Sequence, residues 1–225
     1  MNKACWLAAI SVLTLSAQGN AAAMKPLPNF FGGHDFGNAT KGAKLLYNQN
    51  SNGDGDAVGS QNFTSGKFPS SDDAGADDFV VPKNTKWKVT EVDATGYYYN
   101  GTGPAASENV IFYEDDYGVP GKAVKNGTFV NLVGEDENGS FAIALPRKGL
   151  TLKPGTYWVS VVANCSYTGA CGEWAWELSP NSHGNQPMWE KPASTTRCIT
   201  WTPIETCFGY PGDLEFALRG KAKRN

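Results

Sequence analysis

Histidine is scarce in this sequence: two among 225 residues, His34 and His183, both in Gly/Asn-rich, loop-like settings. No H-E-x-x-H helix occurs, so a zinc protease of that type is excluded. No G-x-S-x-G elbow marks a serine nucleophile, and a triad built on His183 has no supporting motif. No phosphate-cradling loop or dinucleotide fingerprint is present. Acidic groups outnumber basic ones and the only basic cluster is the tail, Arg219, Lys221, Lys223 and Arg224, which argues against nucleic acid, a partner that demands a concentrated cationic face. Beyond the N-terminus no apolar run is long enough to span a bilayer. No stretch outside that N-terminus keeps a helical period over three turns, no internal repeat recurs, and no low-complexity linker divides the chain.

What is present begins with an export signal. Lys3 opens a positive region, Ala4 to Ser16 is apolar, and Ala21, Ala22 and Ala23 are small residues suited to cleavage. We expect residues 1–23 to be the signal and 24–44 an extended lead-in rich in Gly, Pro and Asn. Residues 45–220 are expected to form one domain and 221–225 a solvated basic tail. Removing Lys3 leaves 18 basic against 22 acidic groups, net −4. The expected location is secreted or periplasmic.

Cysteine usage agrees. Cys5 departs with the signal, leaving Cys165, Cys171, Cys198 and Cys207, an even number that reads as two disulfides in an exported chain. Of the three pairings, Cys165–Cys171 and Cys198–Cys207 are favoured because each closes a short loop between expected strands. Intervals of five and eight residues do not suit a metal cluster.

The strand signals are dense from Asp78 onward. "DFVVP", "KWKVTEVDATGYYY", "ENVIFYED", "GTFVNLV", "SFAIALP", "LTLKPGTYWVSVVANC", "GEWAWEL" and "DLEFALRG" are β-branched or aromatic and separated by Gly/Pro turns. In the second, Trp87, Val89, Glu91 and Asp93 are expected on one face, and Lys88, Thr90 and Val92 on the other. Trp174 and Trp176 share a face by the same alternation. Leu45 to Tyr47 reads as a short first strand, and Asn48 to Ala76 as a long polar loop. The expected fold class is all-β: an antiparallel two-sheet β-sandwich, jelly-roll-like and disulfide-bonded.

These segments, together with "RCITWTPIETCFGYPGDLEFALRG", resemble a recurrent jelly-roll-like β-sandwich module of bacterial secreted proteins, akin to pre-peptidase C-terminal and carbohydrate-binding-like domains. The resemblance spans roughly residues 45–220 and implies a fold and an exported location, with binding or accessory roles and no shared catalytic set. In such modules the position of Glu215 is often Cys; its replacement here removes a third disulfide.

Three ligand chemistries are open. Oxygen-rich residues Asn50, Asn52, Asp54 and Asp56 alternate along a Gly-flexible loop, as a structural calcium would require, although the spacing is not that of an EF-hand. Asp72, Asp73, Asp77 and Asp78, and Glu114, Asp115 and Asp116, are further acidic groups in turn-like settings. Glycoside hydrolysis needs two carboxylates about 5–10 Å apart. Glu173 and Glu177 lie roughly 13 Å apart along a strand at about 3.3 Å per residue, so partners would have to come from other strands. Aromatics carry the binding case: Tyr97, Tyr98 and Tyr99 end a strand beside a turn, Trp189 sits in a Pro/Gly/Asn loop, and Trp174 and Trp176 share one face. Aromatic faces suit the flat C–H surfaces of sugars, whereas Trp87, Trp158, Trp174 and Trp176 equally suit a sandwich core. Six N-x-S/T sequences, at Asn38, Asn62, Asn100, Asn126, Asn138 and Asn164, read as turn formers. The expected function is non-catalytic binding of a polysaccharide or surface protein. The alternatives are a secreted hydrolase using Asp/Glu carboxylates and a structural protein of the cell surface.

Overall fold

The computed structural model describes residues 42–51, 55–64, 69–146, 148–166, 169–195 and 197–224. The signal, most of the lead-in, Asn52 and Asp54 lie outside these residues. In chain order the strands are β1 Lys44–Asn48, β2 Ala57–Gly59, β3 Gln61–Phe63, β4 Ala74–Val81, β5 Thr85–Ala94 and β6 Gly96–Tyr99. They continue with β7 Ser107–Asp115, β8 Pro120–Leu132, β9 Glu135–Glu137, β10 Ser140–Ala144, β11 Leu150–Leu152 and β12 Gly155–Cys165. The last are β13 Glu173–Ser179, β14 Met188–Glu190, β15 Thr202–Pro203, β16 Asp213–Leu214 and β17 Phe216–Arg224. Among the described residues one short α-helix, α1, spans Ile204–Phe208.

The fold is an all-β sandwich. A six-stranded sheet runs β1-β17-β5-β10-β9 with β11 beside β5, and a seven-stranded sheet runs β15-β14-β4-β12-β7-β8 with β3 beside β12. A four-stranded sheet, β16-β13-β2 with β6 beside β13, packs with them around a shared core. The pairings are antiparallel except that of β3 with β12. Phe79 of β4 lies 6.2 Å from Trp87 of β5 and 6.4 Å from Phe216 of β17, so the two larger sheets meet through aromatics. Trp174 and Trp176 enter the same core from β13 and are fully buried. Both favoured disulfides form, Cys165–Cys171 and Cys198–Cys207.

Strict alternation in "KWKVTEVDATGYYY" does not survive, for a local reason. Arg219 of β17 faces Glu91, but the next residue, Gly220, faces Val89, so Thr90 is an extra residue. That bulge reverses the facing of the residues after it. Val92 and Ala94 therefore join Trp87 and Val89 in the core, in place of Glu91 and Asp93. The expected loop from Asn48 to Ala76 also contains structure: β2 pairs with β13 and β3 with β12, over 100 residues away for several pairs. Such long-range pairing leaves no local periodicity to read. At the other end, β17 continues through Lys221, Lys223 and Arg224, paired with Lys88, Lys86 and Thr85. Among the described residues, no helix is long and apolar enough to cross a membrane.

Candidate functional site

The three tyrosines expected to act together are divided by the pleat. Tyr98 pairs in register with Trp174 and points inward. Its hydroxyl donates to Asp136 Oδ2 at 2.6 Å and accepts from the Ala105 amide at 2.7 Å. Both lone-pair and proton capacity are thus engaged within the protein, and Tyr98 serves the fold. Tyr97 and Tyr99 point the other way, onto the outer face of the four-stranded sheet, and both are half-buried. Tyr99 lies opposite Glu173 and Tyr97 opposite Ala175, while Glu177 lies opposite Ala57 of β2. Burial, then the nearby carboxylates of Glu177 and Asp56 and the phenol of Tyr210, push the Tyr97 hydroxyl up from its ordinary value. It is a neutral donor at any physiological pH.

The floor of this face is made of small residues: Ala57 and Gly59 of β2 and Ala175 of β13. A connected set of side chains borders it opposite the tyrosines. Trp189 Nε1 donates to the Gly59 carbonyl at 2.8 Å. Phe208 packs edge-on against Trp189 with ring centroids 4.8 Å apart, and Tyr210 stacks on Phe208 at 6.0 Å and 9°. Lys191 Nζ lies 3.1 Å from Asp73 Oδ2 and 6.0 Å from the Trp189 ring centre. Burial raises the Asp73 pKa to about 6 against the opposing pull of Lys191. The result is a face with small residues at its base, the Lys191-held Asp73 carboxylate lying over Gly59, aromatic rings at its borders, and the Glu173 and Glu177 carboxylates along β13.

Trp189 itself corrects the expectation of an exposed aromatic. It is 6% exposed because β14 pairs with β4 and carries the indole under Phe208. The exposed ring is Phe208, at 41%. Trp174 and Trp176 are likewise buried, their Nε1 groups donating to the Gly139 and Glu215 carbonyls at 2.7 and 2.8 Å. None of the three tryptophans presents a ring face to solvent. The residues missed by sequence reasoning are Phe208, Tyr210 and the Gly59/Ala175 floor. The dense aromatics and glycines of "CFGYPGD" were the one available signal.

Beside Tyr210 the surface dips into a cleft of about 120 Å³, whose lining includes Ser182, Asn185, Gln186, Glu205, Tyr210 and Asp213. Two glycines allow it. A side chain at Gly184, where φ is +72°, would meet the Asp78 carboxylate, and one at Gly212, at φ +105°, would meet the Ser179 carbonyl. The loop before β14 is pinned by carboxylates. Asp78 accepts from the Asn185 amide at 2.8 Å and from Asn185 Nδ2 at 3.1 Å, and Asp213 Oδ2 accepts from the His183 amide. Asp77, fully buried, accepts at Oδ2 from Gln49 Nε2 and from the Leu214 amide, both at 2.7 Å. Desolvation, then the neighbouring Asp213, hold the Asp77 carboxyl well above its ordinary range. Asp77 is therefore a structural tie between β4 and β16.

The acidic turns behave as turns. Asp72 Oδ1 accepts from the Phe63 amide at 2.7 Å, and Asp115 Oδ1 accepts from Trp158 Nε1 at 2.9 Å. Of the four residues expected to bind calcium, Asn50 and Asp56 are described, and both are half-buried. Among the described residues no group of three or more His, Cys, Asp or Glu side chains is placed to hold a metal.

No family model matches the chain, and no curated protein matches it. Among solved structures it is similar to the cysteine protease and lectin-like domains of Cwp84, a surface layer associated protein of Clostridium difficile. The identity is 12% and the TM-score 0.46, over 68% of this chain and 32% of that one. The chain thus spans 32% of that structure's length, and a likeness this loose assigns neither family nor function.

Proposed function

We propose that this protein is an exported, non-catalytic β-sandwich that binds a glycan on the outer face of its four-stranded sheet. Tyr97 and Tyr99 are the stacking surfaces, and Glu173 and Glu177 accept hydrogen bonds from sugar hydroxyls. The observation that supports this reading is the pairing of two half-exposed tyrosines with two carboxylates above a floor of Ala57, Gly59 and Ala175. Tyrosine offers broad apolar area at low entropic cost, with a hydroxyl that stays a donor. The Asp73 carboxylate lies over Gly59, so a sugar ring would lie against Tyr97 and Tyr99, where its flat C–H surface replaces water.

The test is affinity electrophoresis against a panel of soluble polysaccharides. At least one should retard the wild-type protein, and Tyr97→Ala with Tyr99→Ala should abolish that retardation. Stacking losses of about 1–3 kcal/mol per ring correspond to roughly 5- to 150-fold in Kd for each tyrosine. Retardation left unchanged by the double variant would remove this face from consideration.

A further inference from the structure

We infer that the outer face of the six-stranded sheet is a second binding surface, a lysine ladder on β5 and β17 that takes a linear anionic polysaccharide. It lies on a different sheet from Tyr97 and Tyr99 and stands without them.

The ladder comes from register. Lys88 of β5 pairs directly with Lys221 of β17, and Lys86 pairs with Lys223. Residues two apart on a strand share a face, so all four side chains leave the sheet on one side. That side is the outer one, because Trp87 and Val89, which alternate with the β5 lysines, are buried in the core. Lys86, Lys221 and Lys223 are exposed, and Lys88 is half-buried. Cross-strand neighbours stand about 5 Å apart at Cβ, and successive rows about 7 Å apart at about 3.4 Å per residue. Four positive charges therefore share a patch two strands wide.

Like charges directly opposite each other repel, so this arrangement costs stability. No neighbour relieves it. The residue on the far side of Lys88 is Thr151 of β11, not an acid. Among the described residues none of the four lysines has a carboxylate within ion-pair distance. In the next row Arg219 faces Glu91, and its guanidinium lies 2.7 Å from Asp93, so the acids nearest the ladder are already engaged. Lys153, exposed just after β11, adds charge at the same end. Lysines commonly guard the free edge of a sheet, but Lys88 lies on an interior strand, between β17 and β11.

The chemistry of the partner follows from the layout. The rows run along the strands, so a linear chain with repeated negative groups meets each pair in turn, where a small anion would meet one. Lysine is a flexible point charge without the planar fork of arginine, so charge spacing rather than the type of anion governs binding. No aromatic side chain shares these rows for a nucleobase to stack on. Leu45, opposite Arg219, is the large apolar residue exposed at the margin, and one leucine is too little apolar surface to hold a bilayer. A polyanion whose remaining contacts are hydroxyls, an acidic polysaccharide, fits this face.

The test is a fluorescence-anisotropy titration of the protein into labelled dextran sulfate, polygalacturonate and uncharged dextran. The two anionic chains should bind and dextran should not. Raising the salt from about 0.05 M to about 0.5 M should weaken binding by roughly tenfold or more, because exposed charges are then screened. Lys88→Gln with Lys221→Gln should weaken it by about tenfold, equivalent to about 1.4 kcal/mol. Lys122→Gln with Lys125→Gln, on β8 of the seven-stranded sheet, should leave it unchanged, as should Tyr97→Ala with Tyr99→Ala. Lys221→Glu, which sets a carboxylate opposite Lys88, should raise Tm while weakening binding further, so that lost binding is not lost folding. Dextran binding as tightly as dextran sulfate would overturn the inference, as would equal losses from the β5/β17 and β8 lysine pairs. Tighter binding to oligo(dT) or to phosphatidylglycerol vesicles than to either acidic polysaccharide would overturn the polysaccharide as the partner.

Discussion

At the scale of single residues, the proposed binding face and the core separate by pleat parity. Trp174 and Trp176 are fully exhausted by the fold: no exposed surface, and each N–H on a backbone carbonyl. Replacing Trp174 by Phe would keep most of the packing but leave the Gly139 carbonyl unpaired, at a cost of about 1–3 kcal/mol. Trp176→Ala should cost about 3–5 kcal/mol by adding a cavity. Urea unfolding checks both, and a loss under about 0.5 kcal/mol for either would contradict the burial described. Tyr98→Phe leaves the Asp136 carboxylate and the Ala105 amide without their shared partner, so it should destabilise more than Tyr99→Phe in the same measurement.

At the scale of elements, two devices place the site. The Thr90 bulge turns β5 so that Val92 and Ala94 seal the core, after which Gly96–Tyr99 can cross to pair with β13. The Cys198–Cys207 disulfide closes the segment that carries α1, and with it Phe208, Tyr210 and Glu205. Replacing both cysteines by serine should cost about 2–3 kcal/mol through the freed unfolded chain. The effect should also be local. Amide exchange should rise across 197–210, where the loop frays, while β12 stays protected, because its own bridge, Cys165–Cys171, is untouched. Uniform acceleration over the whole sandwich would mean that the loop is part of the global folding unit instead.

At the scale of the molecule, the notable quantity is buried negative charge. Asp73, Asp93 and Asp213 have pKa values raised to about 6, and Glu108 to about 7, in each case chiefly by desolvation. The folded chain therefore holds protons that the unfolded chain, titrating near 3.8 for Asp and 4.5 for Glu, has already released. Stability from these groups is full below about pH 4 and is lost as pH rises through 6 to 7. Tm should accordingly be several degrees higher at pH 5 than at pH 8. Calorimetry at the two values decides it, and a higher Tm at pH 8 would mean that ion pairs such as Arg219 with Asp93, at 2.7 Å, outweigh desolvation. Two disulfides suit an oxidising compartment, in keeping with the exported location read from the N-terminus.

Much of this was already written in local pattern. The strand of Gly155–Cys165, the shared face of Trp174 and Trp176 (though not that it points inward) and both disulfides come from alternation, turn residues and cysteine spacing, each a property of neighbours in the chain. Alternation also implies that Tyr97 and Tyr99 face away from Tyr98, although it does not say which of the two faces meets solvent. That was decided by register, since Tyr98 falls opposite Trp174 rather than opposite an outward residue. The rest of the site depended wholly on contacts between distant segments. Gly59, Ala175, Trp189 and Phe208 are brought together by strands that pair over more than a hundred residues, and Glu205 and Asp213 come to line one cleft from separate segments. Periodicity tells each residue which side of its own strand it occupies; only tertiary pairing decides what stands on the other side.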